Sequence, residues 1–202
     1  MKITEIFFSA QGEGVRMGHP AVFVRLAGCS LRCVFCDTPH ALSGGTYMDP
    51  FDILEEVSRL APFPGAQVVI TGGEPMEQDL SPLVMTLAGR GFFLSLETNG
   101  LYFQDLAIHW WSVSPKPAAA FQVHPRIRLL ADEVKLVVVP ELSLETVRQL
   151  RTAMPRSIIY LQPNARDEDG YQAAKRLFDQ CIRDQIRGVR LGLQLHRIFK
   201  IP

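Results

Sequence analysis

The sequence has no surplus of either charge. Lys and Arg together number 21, and so do Asp and Glu, so the 202 residues carry a formal net charge of zero. No bulk field therefore draws the chain to nucleic acid or to an anionic membrane, and an anionic ligand would have to be met by locally placed arginines or lysines. Long apolar runs are missing too: nothing approaches the ~18 consecutive residues of a membrane span. The opening Met1-Lys2-Ile3-Thr4-Glu5-Ile6 lacks the charged-then-apolar plan of a secretory signal. A cytoplasmic location is expected, with neither membrane nor nucleic acid among the partners. Low-complexity tracts, internal repeats and linkers are absent as well, and 47% hydrophobic residues suit one globular domain over residues 1–202. Cysteine is scarce, and four in a reducing compartment argue against structural disulfides and for metal or catalytic use.

Three of those four thiols are concentrated in Gly28-Cys29-Ser30-Leu31-Arg32-Cys33-Val34-Phe35-Cys36-Asp37-Thr38. This stretch directly follows the apolar run Ala21–Leu26, which reads as a strand. Soft thiolate sulfur selects iron–sulfur clusters, zinc or Cu(I). A cubane iron–sulfur cluster normally takes four cysteines, so three would leave one iron open to a ligand that is not protein. Two plainer readings stand beside that one. Cys29, Cys33 and Cys36 could join His40 in a Cys3His zinc site, or the thiols could be small buried hydrophobes. The remaining Cys181 falls in the helical pattern Ala174, Leu177, Phe178, Cys181, Ile182 and reads as core.

Along the chain, apolar strands alternate with amphipathic helices. Strands are expected at Ile3–Phe8, Ala21–Leu26, Gln67–Thr71, Phe92–Leu96, Trp110–Val113, Glu133–Val139, Ile158–Leu161 and Val189–Leu195. Asp49-Pro50, Ser81-Pro82 and Ser143 mark helix starts, and a long helix is expected from about Gly170 to Asp184. Strands apolar throughout describe a parallel sheet covered by helices. Polar and glycine clusters recur just after strands, at the edge where barrels bind ligands. A complete eight-unit barrel takes ~250 residues, so the chain reads as α/β, a shortened open TIM-like barrel of about six parallel strands. The stretch Pro117–Leu130 is the segment expected to be a mobile loop.

Ser9-Ala10-Gln11-Gly12-Glu13-Gly14 follows the first strand, and its two glycines allow a loop to approach a ligand closely. Thr71-Gly72-Gly73-Glu74-Pro75 ends the Gln67–Thr71 strand, with backbone groups free of side chains beside a glutamate that can accept hydrogen bonds from an ammonium. The C-x3-C-x2-C spacing together with this Gly-Gly-Glu-Pro run resembles the radical S-adenosylmethionine (SAM) enzymes. More specific matches are Gln11 to Gly14, Pro20 to Phe23, Arg25, Cys36-Asp37-Thr38, Glu97 to Gly100, Ser114-Pro115-Lys116, Gln162-Pro163 and the final Ile201-Pro202. With these the chain resembles, over nearly its full length, the 7-carboxy-7-deazaguanine synthases, carbon–nitrogen lyases of queuosine and deazapurine biosynthesis.

The resemblance implies a radical SAM core with a 4Fe–4S cluster on Cys29, Cys33 and Cys36, SAM on the open iron and Mg²⁺. It implies rearrangement of 6-carboxy-5,6,7,8-tetrahydropterin to 7-carboxy-7-deazaguanine with loss of ammonia. An adenosyl radical would take hydrogen from C6 of the pterin and SAM would be regenerated. By the same resemblance, Ala10, Gln11, Gly12, Glu13, Arg25, Thr71, His196 and Pro202 meet the substrate, and Thr38 with Asp37 offers hard oxygens to Mg²⁺. Phe35, Cys36, Asp37, Gly73, Glu74, Ser114, Pro115, Lys116, Gln162, Pro163 and Asn164 fall to SAM. Arg25 offers a planar fork for a carboxylate. An external one-electron donor of flavodoxin or ferredoxin type and a homodimer are implied as well. The runner-up is an activating enzyme for a glycyl-radical protein, also a short radical SAM chain, for which the Gln-Gly-Glu loop has no use. From another class, a zinc-bound interaction module would carry neither iron nor sulfide.

Overall fold

A computed structural model describes residues 1–202. In chain order its elements are β1 (Lys2–Ala10), β2 (Pro20–Leu26), β3 (Thr46–Tyr47), α1 (Pro50–Leu60), β4 (Gln67–Gly72), α2 (Ser81–Ala88), β5 (Phe93–Thr98) and β6 (Trp110–Val113). They continue with α3 (Pro125–Leu130), β7 (Glu133–Val138), α4 (Leu144–Ala153), β8 (Ile158–Pro163), α5 (Gly170–Arg183), β9 (Val189–Leu191) and α6 (Leu195–Phe199). The helix starts follow their sequence signals. Asp49 Oδ1 accepts from the Phe51 amide with Pro50 at the first helical position, and the Ser143 hydroxyl accepts from the Thr146 amide.

All nine strands form one sheet in the order β3-β1-β2-β4-β5-β6-β7-β8-β9. It is open, with β3 at one edge and β9 at the other. The run from β2 to β9 is parallel throughout, seven strands of which the last has three residues. β1 turns back antiparallel on β2 and widens the sheet beyond the expected parallel strands.

The two faces differ in chemistry because strand residues alternate. Val24, Ile70, Leu96, Val113 and Val134 are fully buried in a core of 38 residues together with apolar side chains of the helices. The opposite face holds a cluster of only three buried apolar residues, Ala21, Phe23 and Val69. Above it the side chains turn polar. The helices therefore cover one face, and the other is left to a ligand.

Two segments differ from the sequence expectation. The strand expected through Leu195 stops at Leu191: the Gly192 amide still donates to Leu161 O of β8, but the Leu195 amide turns to Gly12 O in the loop after β1. Pro117–Leu130, expected as a mobile loop, contains α3, started by Pro125 and anchored by the fully buried Ile127.

Candidate active site

The three clustered thiols sit on the loop that leaves β2, each partly buried and facing one large cavity of about 630 Å³. The end of β4 holds this loop by its backbone. The Gly73 amide donates to Leu26 O at 3.0 Å and the Glu74 amide to Gly28 O at 2.7 Å. A Cβ on Gly73 would lie 2.1 Å from Gly28 O, so this glycine is required by the approach of the cysteine loop itself. Glu74 is 1% exposed, and its carboxylate accepts from Thr98 Oγ1 (2.6 Å), the Asn99 amide (2.6 Å) and the Met76 amide (3.0 Å). Burial raises its pKa against the pull of these donors. Three of the roughly four acceptor positions of a carboxylate are thus filled by the chain, leaving about one for an ammonium.

Strand register builds the floor. Arg25 pairs with Thr71, and Glu97 with Ser112, which in turn pairs with Glu133. Thr71 follows Ile70, the partner of Leu96, and its hydroxyl donates to Glu97 Oε2 at 3.0 Å. One row of five polar side chains therefore crosses the inner face of the sheet. Above it, Lys135 Nζ lies 2.9 Å from both Glu97 Oε1 and Glu13 Oε2. Gln11 Nε2 donates to Glu97 Oε1 at 3.2 Å, while Gln11 Oε1 accepts from the Glu13 amide. The Gln194 amide donates to Glu13 Oε1 at 2.9 Å and the Gln162 amide at 3.3 Å.

Burial would raise the Glu97 carboxyl, but the Lys135 ammonium and the Thr71 and Gln11 hydrogen bonds outweigh it and hold its pKa at about 2. Burial would likewise discharge Lys135, yet Glu13, Glu97 and Glu133 keep it charged well above the usual lysine range. Both groups are ionised at neutral pH, so Glu97 offers acceptors and Lys135 donors. Burial lowers the pKa of Lys116, whose Nζ donates to Ser114 Oγ, and raises those of Cys29 and Cys33.

At the mouth, Arg25 Nε donates to Glu5 Oε1 at 2.8 Å, and His40 Nε2 lies 3.1 Å from the same oxygen. The end of the chain folds back so that Ser9 Oγ donates to Pro202 O at 2.8 Å. Gly12 is backed by His196, since a Cβ there would lie 2.2 Å from Nδ1 of the ring. Thr38 Oγ1 donates to the exposed Asp37 at 3.0 Å. Glu13, Asp37 and His196 bring one ligand atom each within 4.8 Å of one another.

Comparison with known proteins gives this geometry its family. The Radical SAM superfamily matches residues 24–177. The 7-carboxy-7-deazaguanine synthase of Aquifex aeolicus is 33% identical over 98% of this chain and 93% of its own length. That of Bacteroides thetaiotaomicron is 36% identical over 99% and 98%. A crystal structure of QueE from Escherichia coli superposes with a TM-score of 0.78 at 30% identity, covering 96% of this chain and 94% of its own. The chain belongs to the 7-carboxy-7-deazaguanine synthase family. Family membership brings a 4Fe–4S cluster and SAM as cofactors, together with a need for an electron donor, and neither the zinc module nor the glycyl-radical activating enzyme is favoured.

In this synthase-family chain the cavity gathers the residues singled out in the sequence, with one exception. Cys29, Cys33, Phe35, Cys36, Asp37 and Thr38 border it from the cysteine loop, and Ala10, Gln11, Gly12 and Glu13 from the loop after β1. Arg25, Thr71, Gly73, Glu74, Ser114 and Lys116 border it from the sheet, and Gln162, Pro163, Asn164, His196 and Pro202 from the far side. Pro115, expected among the SAM contacts, is buried and does not reach the cavity, because it falls between Ser114 and Lys116, which do. The donor set suits the cofactors: three buried atoms without an internal partner, Asn99 Nδ2, Ser112 Oγ and Gln162 Oε1, belong to residues on the cavity wall.

Lys135, Ser112, Glu5 and Gln194 also border the cavity but were not among the residues singled out, and Glu97 and Asn99, quoted only within a matching run, were given no site role. A signal existed for two of them. Lys135 is a charge inside the expected strand Glu133–Val139, which a covered parallel sheet does not tolerate unless it pairs or functions, and Glu97 stands in the family-matching run Glu97 to Gly100. The others depend on register and on the returning tail.

Proposed function

We propose that this protein converts 6-carboxy-5,6,7,8-tetrahydropterin to 7-carboxy-7-deazaguanine with loss of ammonia, residues 1–202 acting as one catalytic unit. The observation that carries the reading is that one cavity joins the thiols and the Gly-Gly-Glu-Pro turn to the polar floor of Gln11, Glu13, Thr71, Glu97 and Lys135. Cys29, Cys33 and Cys36 hold the cluster. When bound there, the cluster and SAM would supply radical chemistry in which a hydrogen atom is taken from C6 of the pterin and given back after the ring has contracted, so that SAM is recovered.

The chain's own residues bind and orient. Glu74 takes the amine of SAM on its remaining acceptor position, with Phe35, Cys36, Asp37, Gly73, Ser114, Lys116, Gln162, Pro163 and Asn164 around the rest of the cofactor. Gln11, Gly12 and Glu13, with Ala10 beside them, meet the guanine-like edge, and Thr71 meets the ring. Arg25 receives the carboxylate through the guanidinium nitrogens not bound to Glu5, since only Nε is engaged there. His196 and the oxygen of Pro202 close the substrate side. Asp37 and Thr38 are the hard-oxygen donors for Mg²⁺, which binds through one or two carboxylates and keeps most of its waters. Asp37 is the suitable carboxylate, because Lys135, Gln162 and Gln194 already occupy Glu13.

The enzyme works in the cytoplasm as a homodimer and takes its electron from a flavodoxin- or ferredoxin-like protein. No helix is long and apolar enough to cross a membrane. The test is an anaerobic assay of reconstituted protein with the carboxypterin, SAM and a reductant, with and without Mg²⁺. Formation of 7-carboxy-7-deazaguanine and ammonia is expected. SAM cleavage without that product would contradict the reading.

A further inference from the structure

Ser112 belongs to none of the motifs that mark the family. It lies on β6, in register with Glu97 of β5 on one side and Glu133 of β7 on the other. Its side chain borders the cavity, and the residue is 3% exposed. The other members of its row all have partners within the chain: Arg25 on Glu5, Thr71 on Glu97, Glu97 on Lys135, and Glu133 on the Val15 amide. The Ser112 hydroxyl has none. A buried hydroxyl left unpaired is costly, and native proteins tolerate it where something else completes the bond.

Position says what that is. Asn99 Nδ2 and Gln162 Oε1 are the other unpartnered atoms on the cavity wall, and both lie at its margins, beside Glu74 and at the end of β8. Ser112 lies between them, next to the Glu97 and Lys135 pair. In that neighbourhood the carboxylate only accepts and the ammonium only donates, whereas a hydroxyl does either. A group of this kind suits a heterocycle edge on which N–H and C=O alternate. We propose that Ser112 is a specificity-determining contact of the substrate, its hydroxyl bonding the amide edge of a pterin-class ring beside Glu97. The assignment rests on the function proposed above.

The test compares wild type, Ser112→Ala and Ser112→Thr after anaerobic reconstitution, by equilibrium binding of carboxytetrahydropterin in the presence of SAM and by steady-state kinetics. Loss of one neutral hydrogen bond is expected to raise the pterin Kd and KM of Ser112→Ala about tenfold. SAM affinity stays unchanged and kcat stays within about threefold, a split that general disturbance of the fold would not produce. Ser112→Thr keeps the hydroxyl and is expected to recover most of the affinity. Unchanged pterin affinity in Ser112→Ala, beside a wild type that turns the pterin over, would overturn this assignment alone. A wild type that binds SAM but not the pterin would overturn the functional reading and this assignment with it.

Discussion

Lys135 Nζ and Glu97 Oε1 lie 2.9 Å apart although β6 separates their strands, so the ammonium spans the sheet surface to reach the carboxylate. Glu13 holds the same nitrogen at 2.9 Å from the loop after β1. The pair is therefore a clamp that joins strand β7, strand β5 and the loop carrying Gln11. Removing a single partner from such a cluster leaves charges buried without compensation.

Lys135→Met is accordingly expected to lose about 3–5 kcal/mol of stability, or ~10 °C in Tm for a chain of this size. Adding Glu97→Gln should recover part of the loss, since one of the two stranded carboxylates is then gone. Thermal and urea unfolding of the single and double variants measure this. A loss below about 1 kcal/mol would mean that water already screens the cluster.

The pH dependence of stability has a definite sign. Glu97 titrates at about 2 in the folded protein against an ordinary value of 4.5. A depressed carboxylate contributes stability that is present above its unfolded pKa and is lost as pH falls through the window from about 4.5 to about 2. The contribution is on the order of 3 kcal/mol. The difference in unfolding free energy between wild type and Glu97→Gln should shrink across that window. Glu74, raised by burial, acts in the opposite sense but is common to both proteins and cancels in the difference.

Gly73→Ala tests how the cysteine loop is held. The new Cβ would fall 2.1 Å from the backbone oxygen of Gly28, which has no flexible side chain to move aside. Iron and sulfide contents after reconstitution are expected to drop severalfold while far-ultraviolet circular dichroism stays unchanged. Gly89→Ala, at the end of α2 with its nearest contact at 3.2 Å, is the control expected to keep its cluster. Equal iron content in the two variants would contradict the role given to this close approach.

The chain end gives a fourth expectation. Ser9→Ala removes the donor that holds Pro202 O, and deletion of Pro202 removes the acceptor. Both variants should keep the cluster, and turnover should fall about tenfold or more with the deletion and less with Ser9→Ala, which forfeits one hydrogen bond. If rate and substrate affinity survive the deletion, the tail has no part in the site.

Much of this was legible in the sequence because it depends on local signals. The thiol spacing, the Gly-Gly-Glu-Pro turn and the apolar strands between helix caps are short-range patterns, and the parallel order of β2 to β9 follows from their alternation with helices. A second role of Gly73 was not legible, for a physical reason: its missing side chain also makes room for Gly28, a neighbour 45 positions away in sequence. Ser112 carried no local signal. Its importance arises from the register that sets it between Glu97 and Glu133, and register between crossover strands is a tertiary property. The turn of the chain after Leu191 likewise depends on a distant bond, from the Leu195 amide to Gly12 O.

The central claim is that Cys29, Cys33 and Cys36 hold a cubane cluster with one iron left for SAM. Electron paramagnetic resonance of the reduced, reconstituted protein, recorded before and after addition of SAM, tests it most directly. The account predicts the signal of a reduced 4Fe–4S cluster that shifts when SAM binds and is lost in Cys33→Ala. A signal indifferent to SAM, or a protein that retains zinc and neither iron nor sulfide, would contradict it.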